Sequence, residues 1–152
     1  MTSTSFEKTD ILYGINPVFE TIRAGRRKVH RCFLNKSSRS NARIDKLSRV
    51  AESRNIPVEW VERGTLIHVS HSRETQGAAA EVSPYPYAHL DELSSESRLI
   101  LLDNIEDPQN VGAVVRSAEV LGFAGVLLPN KGVPRILPSV VKASAGAAEH
   151  TR

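Results

Sequence analysis

Apolar residues change their spacing several times along this chain, and each change marks an element. In "GINPVFETIRAG" (14–25) apolar and polar positions alternate at helical intervals. Asn16 suits a cap, Pro17 the first helical position and Gly25 the residue past the end. "VHRCFLN" (29–35) is a compact apolar run of strand length. In 40–55, Ile44, Leu47, Val50 and Ala51 recur at helical spacing with basic residues on the other faces. "IPVEWV" (56–61) reads as a strand, 62–70 as a short helix, and "GAAAEVSPYPY" (77–87) as a strand ended by two prolines. Helices and strands therefore alternate over 10–87, the signature of a small α/β domain.

Residues 88–97 are polar and Ser-rich and read as a linker. The pattern then restarts. "RLILLDNI" (98–105) predicts a strand, a helix runs from 108–111 to Leu121, and "AGVLLP" (124–129) predicts a second strand. Strand–helix–strand predicts a parallel pair. On the helix, Val111, Val114/Val115, Ala118 and Leu121 form the stripe expected to face the core. Residues 1–9 carry no such pattern and read as a flexible N-terminus without a signal-peptide core.

Charge sharpens this picture. The 152 residues carry a net +3, but residues 21–50 hold ten Lys or Arg against one acid, Asp45. Residues 51–107 hold four Lys or Arg against eleven acids. A dense basic block points to a polyanion partner, and Arg26, Arg27, Lys28 and Arg31 are the candidate phosphate contacts. The single cysteine, Cys32, excludes an internal disulfide, and no Cys spacing suggests a metal site. A reducing cytoplasm is the expected compartment. No apolar run is long enough to span a membrane.

The densest chemistry lies in "LLDNIEDPQNVGAVVRSAEVLGF" (101–123). Ligands of open α/β sheets sit beyond the carboxyl ends of strands, where the turn from Asp103 to Asn110 falls. Gly112 and Ala113 leave room for a ligand or another backbone, and Arg116 rises from the same surface. Spacing alone leaves two roles open for Arg116: a bidentate grip on phosphate or substrate oxygen, or an ion pair with Glu119. The common Gly-rich nucleotide loops are absent.

The run Asp107-Pro108-x-Asn110-x-Gly112-Ala113-x-x-Arg116-Ser117-Ala118 resembles the first motif of the SpoU (TrmH) family of RNA ribose 2′-O-methyltransferases. "KASAGAAEH", with Ser144, Gly146, Ala147 and Glu149, is similar to a downstream segment of that family. "LYGINPVFETI" and "TQGAAAEVSP" resemble the two ends of its substrate-binding domain, although Thr75 stands where members often have His. The resemblance implies an L30e-like α/β domain at 10–87, then the first part of a SPOUT-type parallel α/β methyltransferase domain at 98–152. It implies methylation of a ribose 2′-hydroxyl in structured RNA, rRNA rather than tRNA, with S-adenosylmethionine as cofactor, and a homodimer. Arg116 is implied to act on the hydroxyl and Asn110 to organise the site.

The family's trefoil knot and most of its cofactor pocket come from later motifs, which are missing here; the chain stops at Arg152. No cofactor-binding residue is therefore assigned, and the 152 residues are expected to be inactive alone. The alternative is a non-catalytic RNA-binding module with a vestigial methyltransferase remnant. A free guanidinium stays protonated at neutral pH, so Arg116 is expected to stabilise a forming alkoxide while a nearby phosphate accepts the proton; a base role would need desolvation and a neighbouring cation to lower its pKa considerably.

Overall fold

The computed structural model describes residues 9–94 and 97–152. The expected flexible N-terminus lies, except for Thr9, outside the described residues. The N-terminal part contains β1 (Asp10–Tyr13), α1 (Ile15–Ala24), β2 (Val29–Asn35), α2 (Ala42–Ser53), β3 (Val58–Val61), α3 (Arg63–Ser70) and β4 (Ala78–Val82). Its sheet has the order β1-β4-β2-β3, with β4 antiparallel to both neighbours and β2 parallel to β3. Register sets Leu12 and Cys32 on either side of Ala80, and Leu34 beside Trp60.

Because side chains alternate across a strand, β4 serves two layers. Ala78, Ala80 and Val82 join Leu12, Cys32, Leu34, Val18, Ile44 and Leu47 in the main core. Ala79 turns to the other face, into a smaller cluster with Phe33 and Leu66. Helices α1 and α2 thus cover one face and α3 the other.

One cap differs from expectation. Gly14, at φ 101°, precedes α1, so Asn16 lies inside the helix and its side chain accepts from Arg43 instead. Gly25 ends the helix in the left-handed conformation, at φ 65°. Asn41 caps α2 through the N–H groups of Arg43 and Ile44. The strand expected over 77–87 is shorter, because Pro84 and Pro86 supply no donors for a ladder.

The C-terminal part holds β5 (Leu99–Leu101), α4 (Pro108–Val120), β6 (Gly125–Leu127) and α5 (Pro138–Ala143), followed by a 3-10 turn at Ala147–Glu149. Strands β5 and β6 are parallel, as the strand–helix–strand pattern requires. Asp107 caps α4 by accepting from the Gln109 N–H at 2.9 Å. Val111, Val115 and Ala118 are buried, whereas Leu121 is 63% exposed. The helix ends at Val120, so Leu121 leaves the stripe and faces solvent. On the far edge of β6, the Val126 N–H donates to the Arg152 carbonyl at 2.8 Å.

The two parts share one core. Leu102, Val111, Val115, Val140, Val141 and Ala148 pack in the same cluster as Leu12, Val18 and Ile22. The connection is built as well as polar: it includes a 3-10 turn at Leu90–Glu92, and the Tyr87 hydroxyl accepts from the Ile136 N–H at 2.8 Å.

Candidate nucleic-acid and catalytic site

Arg116 sits in the middle of α4, exposed, on a ridge between two open grooves. One, of about 290 Å³, has Arg116 and Glu119 on one wall, Glu20 and Arg23 of α1 on the other, and His150 at its end. The other, of about 520 Å³, is bounded by Ala113, Ser117, Leu121 and Ala143. Among the described residues Arg116 has no salt bridge, so the alternative pair with Glu119 does not form. Asn110 is exposed in the first turn of the same helix.

Gly112 serves a backbone rather than a ligand. A Cβ there would meet Ala143 Cβ at 2.4 Å and the Ser144 nitrogen at 2.9 Å. Only glycine allows α4 to touch α5, and that contact orients the Arg116 face. Gly146 does the same on the other wall: at φ 91°, an added Cβ would meet Glu20 Cβ at 2.7 Å. His150 Nε2 lies 2.8 Å from Glu20 Oε2, which ties the end of the chain to α1.

The four candidate phosphate contacts divide sharply. Arg27 corrects the sequence reading: its side chain is 0% exposed, with Nη1 3.2 Å from Asp10 Oδ2 and Nε 3.2 Å from Glu149 Oε2. It lies 4.8 Å from the Tyr85 ring centre and cannot face a phosphate. The Glu149 contact is a charge contact without hydrogen-bond alignment, because neither Glu149 oxygen has a partner. Burial therefore pushes the Glu149 carboxyl upward in pKa, and the Arg27 and Arg26 guanidinia pull it back.

Arg26 is half-buried and donates to the carbonyls of Thr151 and Pro86. Arg31 is exposed but held, with Nε 2.7 Å from Glu81 and Nη1 3.1 Å from Glu59. Lys28 is exposed and has no ion pair among the described residues. The acids that neutralise the basic block come from β1, β3, β4 and the C-terminal segment, which charge counted along a window cannot reveal.

The Tyr85 hydroxyl completes the seam between the two parts. It donates towards the carbonyls of Ala148 (2.7 Å) and Thr151 (3.0 Å). Charge pairs, a phenol and a shared core thus hold α1 at a fixed distance from α4.

Other cations were not singled out by sequence: Arg39 stacks on Trp60 at 4.4 Å and Lys46 lies 5.2 Å from the Phe19 ring centre. Among the described residues no cluster of His, Cys, Asp or Glu could hold a metal, and no helix is long and apolar enough to cross a membrane.

Comparison with known proteins agrees with this architecture. Residues 11–88 match the family described as RNA 2′-O ribose methyltransferase substrate binding. Residues 97–152 match the SpoU rRNA methylase family. The chain belongs to the SpoU family. It is 34% identical over 151 residues to an uncharacterized tRNA/rRNA methyltransferase of Synechocystis sp., covering 95% of this chain and 39% of the relative. It is 35% identical over 152 residues to one of Mycolicibacterium vanbaalenii, covering 95% and 48%. The chain thus spans less than half the length of these relatives.

Two solved structures share the fold. A crystal structure of an RNA 2′-O ribose methyltransferase aligns with TM-score 0.75 and 22% identity, over 96% of this chain and 54% of that one. The SpoU methyltransferase AviRb from Streptomyces viridochromogenes, in complex with the cofactor AdoMet, aligns with TM-score 0.73 and 18% identity, over 94% and 52%.

Proposed function

We propose that this chain is the RNA-handling front part of an S-adenosylmethionine-dependent methyltransferase that modifies a ribose 2′-hydroxyl in structured RNA, rRNA rather than tRNA. The observation that carries the reading is the position of Arg116: exposed, without an ion pair among the described residues, and facing α1 of the substrate-binding part across one groove. In this reading Arg116 holds the reacting ribose oxygen or its neighbouring phosphate, and Asn110 shapes the turn beside it. A fixed guanidinium stabilises developing negative charge without reorganising at the moment of reaction. The enzyme is a homodimer and works in the cytoplasm.

S-adenosylmethionine would supply the methyl group on a sulfonium. The described residues do not fit that cofactor. The Arg116 groove is open, and of its two carboxylates Glu20 is already held by His150 while Glu119 stands beside Arg116, so no enclosed cradle for a sulfonium forms there. The cavity of about 320 Å³ between Tyr85–Leu93 and β6 is lined by no carboxylate, and its ionic side chains are Arg135 and Arg152. We therefore assign the cofactor site to the part of the relatives' length that this chain does not span. Titration calorimetry of the 152-residue chain with S-adenosylmethionine is expected to give no binding heat. Micromolar binding would overturn that assignment.

The activity itself is tested by mapping ribose 2′-O-methyl groups in rRNA and tRNA from cells with and without the gene. Loss of one rRNA mark is expected. A complete set of marks in both RNAs would refute the enzymatic reading and leave the alternative, a non-catalytic RNA-binding module.

A further inference from the structure

With Arg26, Arg27 and Arg31 engaged by protein groups, another surface must account for the basic block. Helix α2 offers one. Its exposed Arg43 donates to Asn16 Oδ1, and its exposed Lys46 stands 5.2 Å from the Phe19 ring centre. Both cations therefore lean on the first half of α1. Asn16, Phe19 and Arg23 recur at i, i+3 and i+7, on one face of α1. At 1.5 Å per residue the span from Asn16 to Arg23 is about 10 Å. The Arg23 side chain, 69% exposed, then lines the same groove as Arg116.

The carboxylates along this route are already occupied or marginal. Glu20 is held by His150 at 2.8 Å and meets Arg23 only at 3.7 Å, a surface pair that contributes little. Glu119 is the one acid of the Arg116 wall.

We propose that a single RNA strand crosses the molecule along α1, its phosphates held first by Arg43 and Lys46 and then by Arg23, so that the following ribose arrives at Arg116. Phe19, half-buried against the core, holds the Lys46 ammonium over its ring and so fixes that cation on the α1 side. This inference rests on the RNA reading of the proposed function and adds the path of the substrate.

The test is binding of the intact chain to a fluorescein-labelled single-stranded RNA oligonucleotide, followed by anisotropy across a salt series. Each phosphate contact contributes about 0.7 to the slope of log K against log salt. The triple variant Arg23→Gln/Arg43→Gln/Lys46→Gln is expected to lower that slope by about 2 and to weaken binding about tenfold or more at low salt. A control, Arg63→Gln/Arg73→Gln, removes two exposed cations at and beyond α3, the helix on the opposite face of the sheet, and should leave the slope unchanged. Circular dichroism confirms that both variants are folded. An unchanged slope in the triple variant, or an equal loss in the control, overturns the α1 track while RNA binding stands. No binding by the wild-type chain at low salt also overturns the track, whereas the proposed function, which concerns structured RNA, stands or falls with the methylation mapping.

Discussion

Replacing Arg27 with Met tests the seam that fixes α1 against α4. Arg27 has 0% side-chain exposure and Glu149 has 1%, with Nε and Oε2 3.2 Å apart. At an effective dielectric of about 20, such a pair attracts by about 5 kcal/mol, and desolvation of both ions offsets part of it. Arg27→Met fills the volume but leaves a buried carboxylate with no hydrogen-bond donor on either oxygen. The expected loss is about 3–5 kcal/mol, the usual effect of stranding one member of a buried pair. Urea unfolding followed by Trp60 fluorescence at 10 °C reads it directly. The sign with pH follows. Burial already holds the Glu149 carboxyl above its ordinary 4.5 in the folded chain, and losing Arg27 raises it further. Ionised Glu149 then opposes folding, so the defect is full at neutral pH and shrinks as pH falls towards 4.5. Adding Glu149→Gln should recover much of the loss, because a neutral amide is far cheaper to bury than a charge. A change within about 0.5 kcal/mol for Arg27→Met, or additive effects in the double-mutant cycle, would refute the reasoning.

Three further outcomes follow from the packing and the titrating groups. Gly112→Ala should destabilise the chain by about 1–3 kcal/mol in the same unfolding assay, because its Cβ would sit 2.4 Å from Ala143 Cβ; Ala113→Ser, on the exposed neighbour, should not. The Arg31 hydrogen bond holds the Glu81 carboxyl below its ordinary 4.5. Its contribution is complete above 4.5 and is lost as pH falls through the depressed value, so the melting temperatures of wild type and Glu81→Gln should converge on acidification. Burial pushes the Cys32 thiol up to about 12, so iodoacetamide at pH 8 should label it only after denaturant is added.

Much of this molecule was legible in its sequence, for reasons that can be named. Gly25 could be placed at a helix end because few other residues take a left-handed turn at so little cost. The spacing of Ile44, Leu47 and Ala51 marked the buried side of α2 because that helix packs on one face only. Strand limits were less legible: apolar residues recur at Leu102 and Ile105, whereas the residues of β5 paired with β6 end at Leu101. Asn16 was misread as a cap because the Gly14 conformation lets the helix begin two residues earlier, at Ile15 rather than Pro17. The basic block misled most. Charge counted along a window ignores partners outside it, and Asp10, Glu81 and Glu149 reach Arg27 and Arg31 only through the fold. The Arg23 wall of the Arg116 groove was hidden for the same reason, since α1 and α4 are ninety residues apart in the chain.

The most direct test of the central claim concerns Arg116 itself. In cells lacking the gene, ribose methylation at the affected rRNA nucleotide is measured after complementation with wild type, Arg116→Lys or Arg116→Ala at equal protein abundance. The account predicts full restoration by wild type, partial restoration by Arg116→Lys, where charge survives without the fork geometry, and none by Arg116→Ala. Restoration by Arg116→Ala equal to wild type would contradict it.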